Sequence, residues 1–145
     1  MKYHAEDIQI DIPSNDYRDM TLNILSYKAL EMTIVIGRGL LNGKDLATDF
    51  NQQMKKLQKT VDGFKNDSIE SVKVGLNQDI EAVQTRNQFL RNKVPTYQFQ
   101  LLLQVPDTQN TIAINYVKQK PLDDADKTQW DEIKASIDLS QFKDN

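Results

Sequence analysis

The amino-acid sequence predicts an α+β fold: a single domain over residues 1–145, with an antiparallel β-sheet of about six to seven strands, two helices packed on one face, and the other face forming a concave groove. Three observations lead to this. Residues 96–105 put apolar side chains at every odd position and Gln98, Gln100, Leu102 and Gln104 at even ones, the period-two alternation of a strand. Two later stretches, from Leu46 and after Pro121, change to apolar spacings of three and four, the mark of an amphipathic helix. The order of the patterns is three strands, a helix, four strands and a helix, which suits an antiparallel sheet with its helices on one side.

In chain order, Ile8, Ile10 and Ile12 alternate with Gln9 and Asp11 and stop at Pro13, making a first strand with one apolar face. Residues 13–16, Pro-Ser-Asn-Asp, turn the chain. Residues 17–27 alternate Met20, Leu22 and Ile24 against Thr21 and Asn23, until Leu25 makes both faces partly apolar. The third strand, residues 32–37, has the continuous centre Ile34-Val35-Ile36, which asks for cover on both sides. Gly37-Arg38-Gly39 and Asn42-Gly43 lead out of it.

Leu46, Phe50, Met54, Leu57 and Val61 then define a helix of about four and a half turns, closed by Asp62-Gly63. Its acidic start and Lys55, Lys56 and Lys59 near its end suit the helix dipole. Strands resume with Ile69, Val72, Val74 and Leu76, and continue after residues 77–79 with the long polar run 80–90. Residues 91–95 connect that run to 96–105, and residues 106–110 connect on to a last strand around Ile112, Ile114 and Tyr116. Asp123, Asp124 and Asp126 cluster where a helix N-terminus favours negative charge, Trp130, Ile133 and Ile137 give that helix its apolar stripe, and Leu139 and Phe142 tuck the tail back.

Composition narrows the function. With 18 basic against 21 acidic side chains and no basic block interleaved with aromatics, neither a phosphate-tracking stripe nor a base-stacking platform is visible, so no nucleic acid is expected. The absence of cysteine removes disulfides, thiolate chemistry and cysteine-based zinc sites. No segment approaches the ~18 apolar residues of a membrane span, and the first residues carry charge where a signal peptide needs an apolar run, so a cytoplasmic location without membrane insertion is expected.

The tempting motifs fail in detail. Gly37-Arg38-Gly39-Leu40-Leu41-Asn42-Gly43-Lys44-Asp45 leaves a strand and enters a helix, but five residues separate Gly37 from the Gly-Lys pair where a phosphate loop needs about four, and Asp45 stands where Ser or Thr would hold magnesium. The dinucleotide pattern lacks its third glycine, since Asn42 stands there. His4, the single histidine, is too near the first residue to be held as a catalytic base. The aspartates at 123–126 lack the alternation and glycine of a calcium loop. No catalytic residue, metal or cofactor is expected.

What core packing leaves over is uncharged. If helices cover one face, some of Leu22, Ile24, Val35, Gln98, Gln100 and Leu102 remain on the other, amides and aliphatics without a full charge. The strand register decides which of them align.

Ile8-Gln9-Ile10-Asp11-Ile12-Pro13, Asp19-Met20-Thr21-Leu22-Asn23-Ile24, Ile34-Val35-Ile36-Gly37-Arg38, the stretch from Ala47-Thr48-Asp49-Phe50 to Val61-Asp62-Gly63-Phe64, and Gln129-Trp130-Asp131-Glu132-Ile133 resemble the DcrB-related family. More narrowly they are similar to its Eag members, the effector-associated chaperones of bacterial type VI secretion. The resemblance spans nearly the whole chain, through pattern and order more than through any rare motif.

It implies a homodimeric, non-enzymatic chaperone that shields the N-terminal transmembrane helices of a secreted Rhs- or PAAR-type toxin in the cytoplasm and delivers it to the secretion spike. The resemblance places helix-binding residues at Leu22, Ile24, Gln58, either Gln98 or Gln100, and Gly37, where relatives can carry a hydroxyl; Val35 and Leu102 join them from the uncharged surplus. The alternative is a soluble DcrB-like adaptor or toxin-neutralising partner that ignores apolar helices.

Overall fold

The chain first closes a hairpin of its own. In the computed structural model, which describes residues 1–143 (of Tyr3 the backbone alone), β1 (Lys2–His4) pairs antiparallel with β2 (Gln9–Asp11) in a two-stranded sheet separate from the main one. The strand expected at Ile8 to Ile12 is thus a short hairpin arm, and its Ile8 and Ile10 are exposed. Residues 17–22, expected to extend the next strand, are irregular.

The main sheet is antiparallel and open, in the order β3 (Asn23–Tyr27), β4 (Met32–Leu40), β9 (Asn110–Lys118), β8 (Val94–Gln104), β7 (Ile80–Arg91) and β5 (Asp62–Asn66). A further strand, β6 (Glu70–Val74), shares the outer edge of β7 with β5: it pairs with residues 80–84, while β5 pairs with residues 87–90. Strand β4 runs through Gly37-Arg38-Gly39, expected to be a connector, because β9 lies along it from Met32 to Leu40 and bonds its backbone throughout. The connector between β7 and β8 is two residues, not five: Asn92 and Lys93 both take positive φ, 51° and 69°, as a two-residue hairpin requires, and Leu90 already faces Pro95. Strand β5 was not foreseen, since Gly63, at φ 61°, sits in a bulge that breaks its alternation.

The α+β class stands, and the arrangement of the helices is corrected. Helix α1 (Leu46–Thr60) packs Phe50 and Met54 on Val83 and Leu102, whereas α2 (Asp124–Ala135) packs Trp130 among Phe99, Leu101, Leu103 and Tyr116. Successive side chains of a strand point to opposite faces, so Leu102 and its neighbours Leu101 and Leu103 assign the two helices to opposite sides. The cause is the run Leu101-Leu102-Leu103 itself, fully buried, which is apolar both ways and needs cover on both faces.

Each helix starts on a side-chain cap. Asp45 accepts from the Thr48 amide at 2.7 Å, and Asp123 and Asp126 form a reciprocal capping box, each carboxylate bonding the other's backbone N–H at 2.9 Å. The tail returns over the α2 face, where Leu139 and Phe142 pack against the core as expected; Ile137, expected on the helix stripe, lies beyond the end of α2 at Ala135 and packs there with them. The larger core lies on this side. Trp130 stacks on Phe99 at 5.6 Å between centroids and meets the edge of Tyr116 at 6.2 Å, an arrangement whose loss costs about 3–5 kcal/mol for a Trp→Ala change.

Candidate functional site

Register carries three rows of side chains across the α1 face. One reads Ile24, Val35, Asn115, Gln100, Thr85; beside it run Gly37, Ala113, Leu102, Val83 and, on the other side, Thr33, Val117, Gln98, Asn87. No member of these rows carries a full charge. The row through Ile24 and Val35 passes from aliphatic at β3 and β4 to amide at Asn115 and Gln100, while the row through Gly37 stays apolar as far as Val83.

Helix α1 covers part of this face, contacting β5, β7 and β8. The β3 end has no helix over it: Ile24 is 61 % and Leu22 59 % exposed, whereas Leu102, under Phe50 and Met54, is 1 % exposed. Leu22 stands just before β3, and its Cδ1 lies 3.7 Å from where a Cβ on Gly37 would be, which sets it over Gly37 on the same face.

The sheet residues proposed from the sequence therefore share one face but not one environment. Leu22 and Ile24 are open, Val35 and Gly37 half-buried, and Gln98, Gln100 and Leu102 buried within the chain itself. Gln58 is an exposed residue of α1. Gly37 offers no hydrogen-bonding side chain, although an added Cβ would make only ordinary contacts there.

Two amides form the polar end. Asn87 Nδ2 donates to Gln100 Oε1 and lies 3.6 Å from Met54 Sδ, while its Oδ1, in a side chain 3 % exposed, has no partner among the described residues. The Thr85 hydroxyl has two acceptors within reach of its one proton, Asn66 Oδ1 at 3.0 Å and the Asp67 carbonyl at 2.9 Å. Sequence reasoning missed Asn87, Asn115, Thr85 and Ala113. A signal was present in β7, where Val83, Thr85, Asn87 and Phe89 share one parity, uncharged and buried, against Gln84, Arg86 and Gln88 on the other.

Among the described residues no group of His, Cys, Asp or Glu is placed to hold a metal ion, and no helix is long and apolar enough to cross a membrane.

An open antiparallel sheet, flanked by one helix on each side and with one face partly bare, defines a single-domain α+β protein. The comparisons with known proteins place it further. The model of the DcrB family matches residues 8–136, and the chain belongs to that family. A solved structure of PA94, a protein of unknown function from Pseudomonas aeruginosa suggested to be a regulator, shares the fold with a TM-score of 0.68, at 18 % identity over 94 % of each chain. No curated protein sequence matches.

Proposed function

We propose that the chain is a cytoplasmic, non-enzymatic chaperone that holds apolar helices, namely the N-terminal transmembrane segments of a toxin exported by type VI secretion, and keeps them soluble for loading onto the spike. One observation carries the reading: the bare end of the α1 face joins exposed Leu22 and Ile24 to Val35, Gly37 and the uncharged row that runs on to Asn115 and Gln100.

The chemistry fits such a guest. A membrane helix presents aliphatic side chains together with Gly, Ser and Thr, so its holder needs an apolar surface in place of lipid and a few amides in place of helix-helix hydrogen bonds. Full charges would be costly to desolvate there, and the rows contain none. Small side chains at Gly37 and Ala113, directly opposite each other, let a helix backbone approach closely. Because Gln98, Gln100 and Leu102 are already buried within the protomer, Leu22, Ile24 and Val35 make first contact, and a second protomer supplies the rest of the enclosure.

The test is co-expression with the N-terminal transmembrane fragment of the toxin encoded beside this protein, followed by purification without detergent. The reading holds if the fragment is soluble only with the chain and Leu22→Asp or Ile24→Asp abolishes the complex. Fragments that precipitate regardless, or that co-purify equally with both variants, overturn it in favour of a soluble adaptor.

A further inference from the structure

Of the lysines and arginines described, Arg18, Arg38, Lys118 and Lys134 are half-buried and the others exposed. Both lysines have a carboxylate: Lys118 lies 3.1 Å from Asp126 and Lys134 3.4 Å from Asp131. Among the described residues neither arginine makes an ion pair. Half-buried charge is ordinarily held by an opposite charge in direct contact, and neither guanidinium has one among the described residues.

They are fixed in place by neutral groups instead. Arg18 Nη2 donates to the Gly39 carbonyl at 3.0 Å and to Asn110 Oδ1, and its Nε lies 3.2 Å from Met20 Sδ. Arg38 Nη1 donates to the carbonyls of Thr21 at 3.1 Å and Ile36 at 3.3 Å and to Asn23 Oδ1. These bonds orient the side chains and leave the net charge in place. Arg18 Nη1 and Arg38 Nε and Nη2 have no bond among the described residues.

Both arginines line one cavity of about 720 Å³. It lies on the α2 face, where Arg38 stands opposite Ile112, and the returning tail closes it with Leu139 and Phe142. Two carboxylates also stand in its wall: Asp19 Oδ1 accepts from the Thr21 amide at 3.0 Å and from its hydroxyl, and Asp138 Oδ1 accepts from the Ser140 amide at 2.9 Å.

We propose that this cavity is a second binding site, on the face opposite the helix-holding one, for a carboxylate borne on an apolar or aromatic group. The guanidinium forks of Arg18 and Arg38 take the carboxylate, and Ile112, Leu139 and Phe142 take the apolar body. The acid belongs either to an Asp or Glu side chain of a partner polypeptide or to a free organic acid.

Calorimetric titration of the full chain decides, with 3-phenylpropionate, the blocked peptide Phe-Glu-Phe, its Phe-Gln-Phe counterpart and inorganic phosphate as probes. The expected result is binding of at least one of the two acids. The Gln peptide and phosphate then bind at least ~10-fold more weakly, and affinity falls again as salt is raised. Arg38→Gln and Arg18→Gln each lower acid affinity ~10-fold or more, and Arg38→Lys, which keeps the charge and loses the fork, falls in between. Melting temperatures accompany each variant; if Arg18→Gln fails to fold, the two Arg38 variants carry the test. Tighter binding of the peptide identifies a polypeptide source, and tighter binding of phenylpropionate a free acid. The proposal is overturned if neither acid binds at millimolar concentration, if Phe-Gln-Phe or phosphate binds as well as the acids, or if folded Arg38→Gln binds unchanged.

Discussion

Tyr116 donates its hydroxyl to Asp126 Oδ1 at 2.7 Å, tying the last strand to the last helix beside the Trp130 stack. The same carboxylate takes Lys118 Nζ at 3.1 Å and caps its own helix through the Asp123 amide. Burial pushes the Asp126 carboxyl up, but the bonds from Tyr116, the Asp123 backbone and Lys118 outweigh it and hold the group below the usual aspartate value. Burial, followed by the Asp126 hydrogen bond and charge, pushes the Tyr116 phenol far above the ordinary tyrosine range.

A group with a depressed folded-state value stabilises fully above its unfolded value, ~3.9 for aspartate, and that contribution is lost as pH falls through the folded value. Asp126→Asn should therefore cost about 3 kcal/mol at pH 7, since Lys118 loses its partner, and should flatten the fall in stability below about pH 4. Tyr116→Phe should cost about 1.5–3 kcal/mol while keeping the ion pair. Urea unfolding of both variants across pH 2–8 checks the order and the slope, with pH limits set at about those values.

Leu102 and Leu22 separate packing from display on a single face. Leu102→Ala should cost about 2–5 kcal/mol, because it opens a void between Phe50, Met54 and Val83. Leu22→Asp, at a side chain 59 % exposed, should change stability by no more than about 0.5 kcal/mol while removing helix binding. Chemical denaturation alongside the co-purification assay measures both.

Gly75 has φ 96°, and a Cβ there would lie 2.7 Å from Ile80 Cδ1 and 3.2 Å from the Ile137 carbonyl. Its amide also donates to the Lys134 carbonyl at 3.0 Å, so the backbone is held from two sides. Gly75→Ala should destabilise by about 1–3 kcal/mol, read as a lower unfolding midpoint, with hydrogen exchange accelerating first where the tail meets β6.

The orphaned Asn87 Oδ1 predicts a rescue. Asn87→Leu alone strands Gln100 Oε1 without a donor and should cost about 1–3 kcal/mol, whereas Asn87→Leu with Gln100→Leu should recover most of that loss or exceed wild type. A double-mutant cycle by urea titration gives the coupling.

The partition of residues 96–105 into two faces was legible, because the alternation of Tyr97, Phe99, Leu101 and Leu103 against Gln98 and Gln100 is local and survives any tertiary context. The cover of each face was not, because one strand's pattern says that its faces differ but not which helix crosses which. Leu102, placed among glutamines, was the clue that the amide face is itself packed. Ile8 and Ile10 misled because a one-sided apolar strand implies a core, and here they belong to a short hairpin whose two-stranded sheet is separate from the main one. The pairing of Arg18 with Arg38 in one cavity depends on the fold bringing residues 17–22 back over the end of β4, which no local periodicity encodes.

The middle of the sheet is closed by β4 against β9, a segment from the first third of the chain against one made long after it. During synthesis the inner edge of β4 therefore has no strand to pair with until β9 begins to leave the ribosome at Asn110, and the Leu101-Leu102-Leu103 run emerges before its second neighbour exists. Nascent chains arrested before β9 should be sticky and protease-sensitive, and release past α2 should bring a single late, cooperative gain of protection.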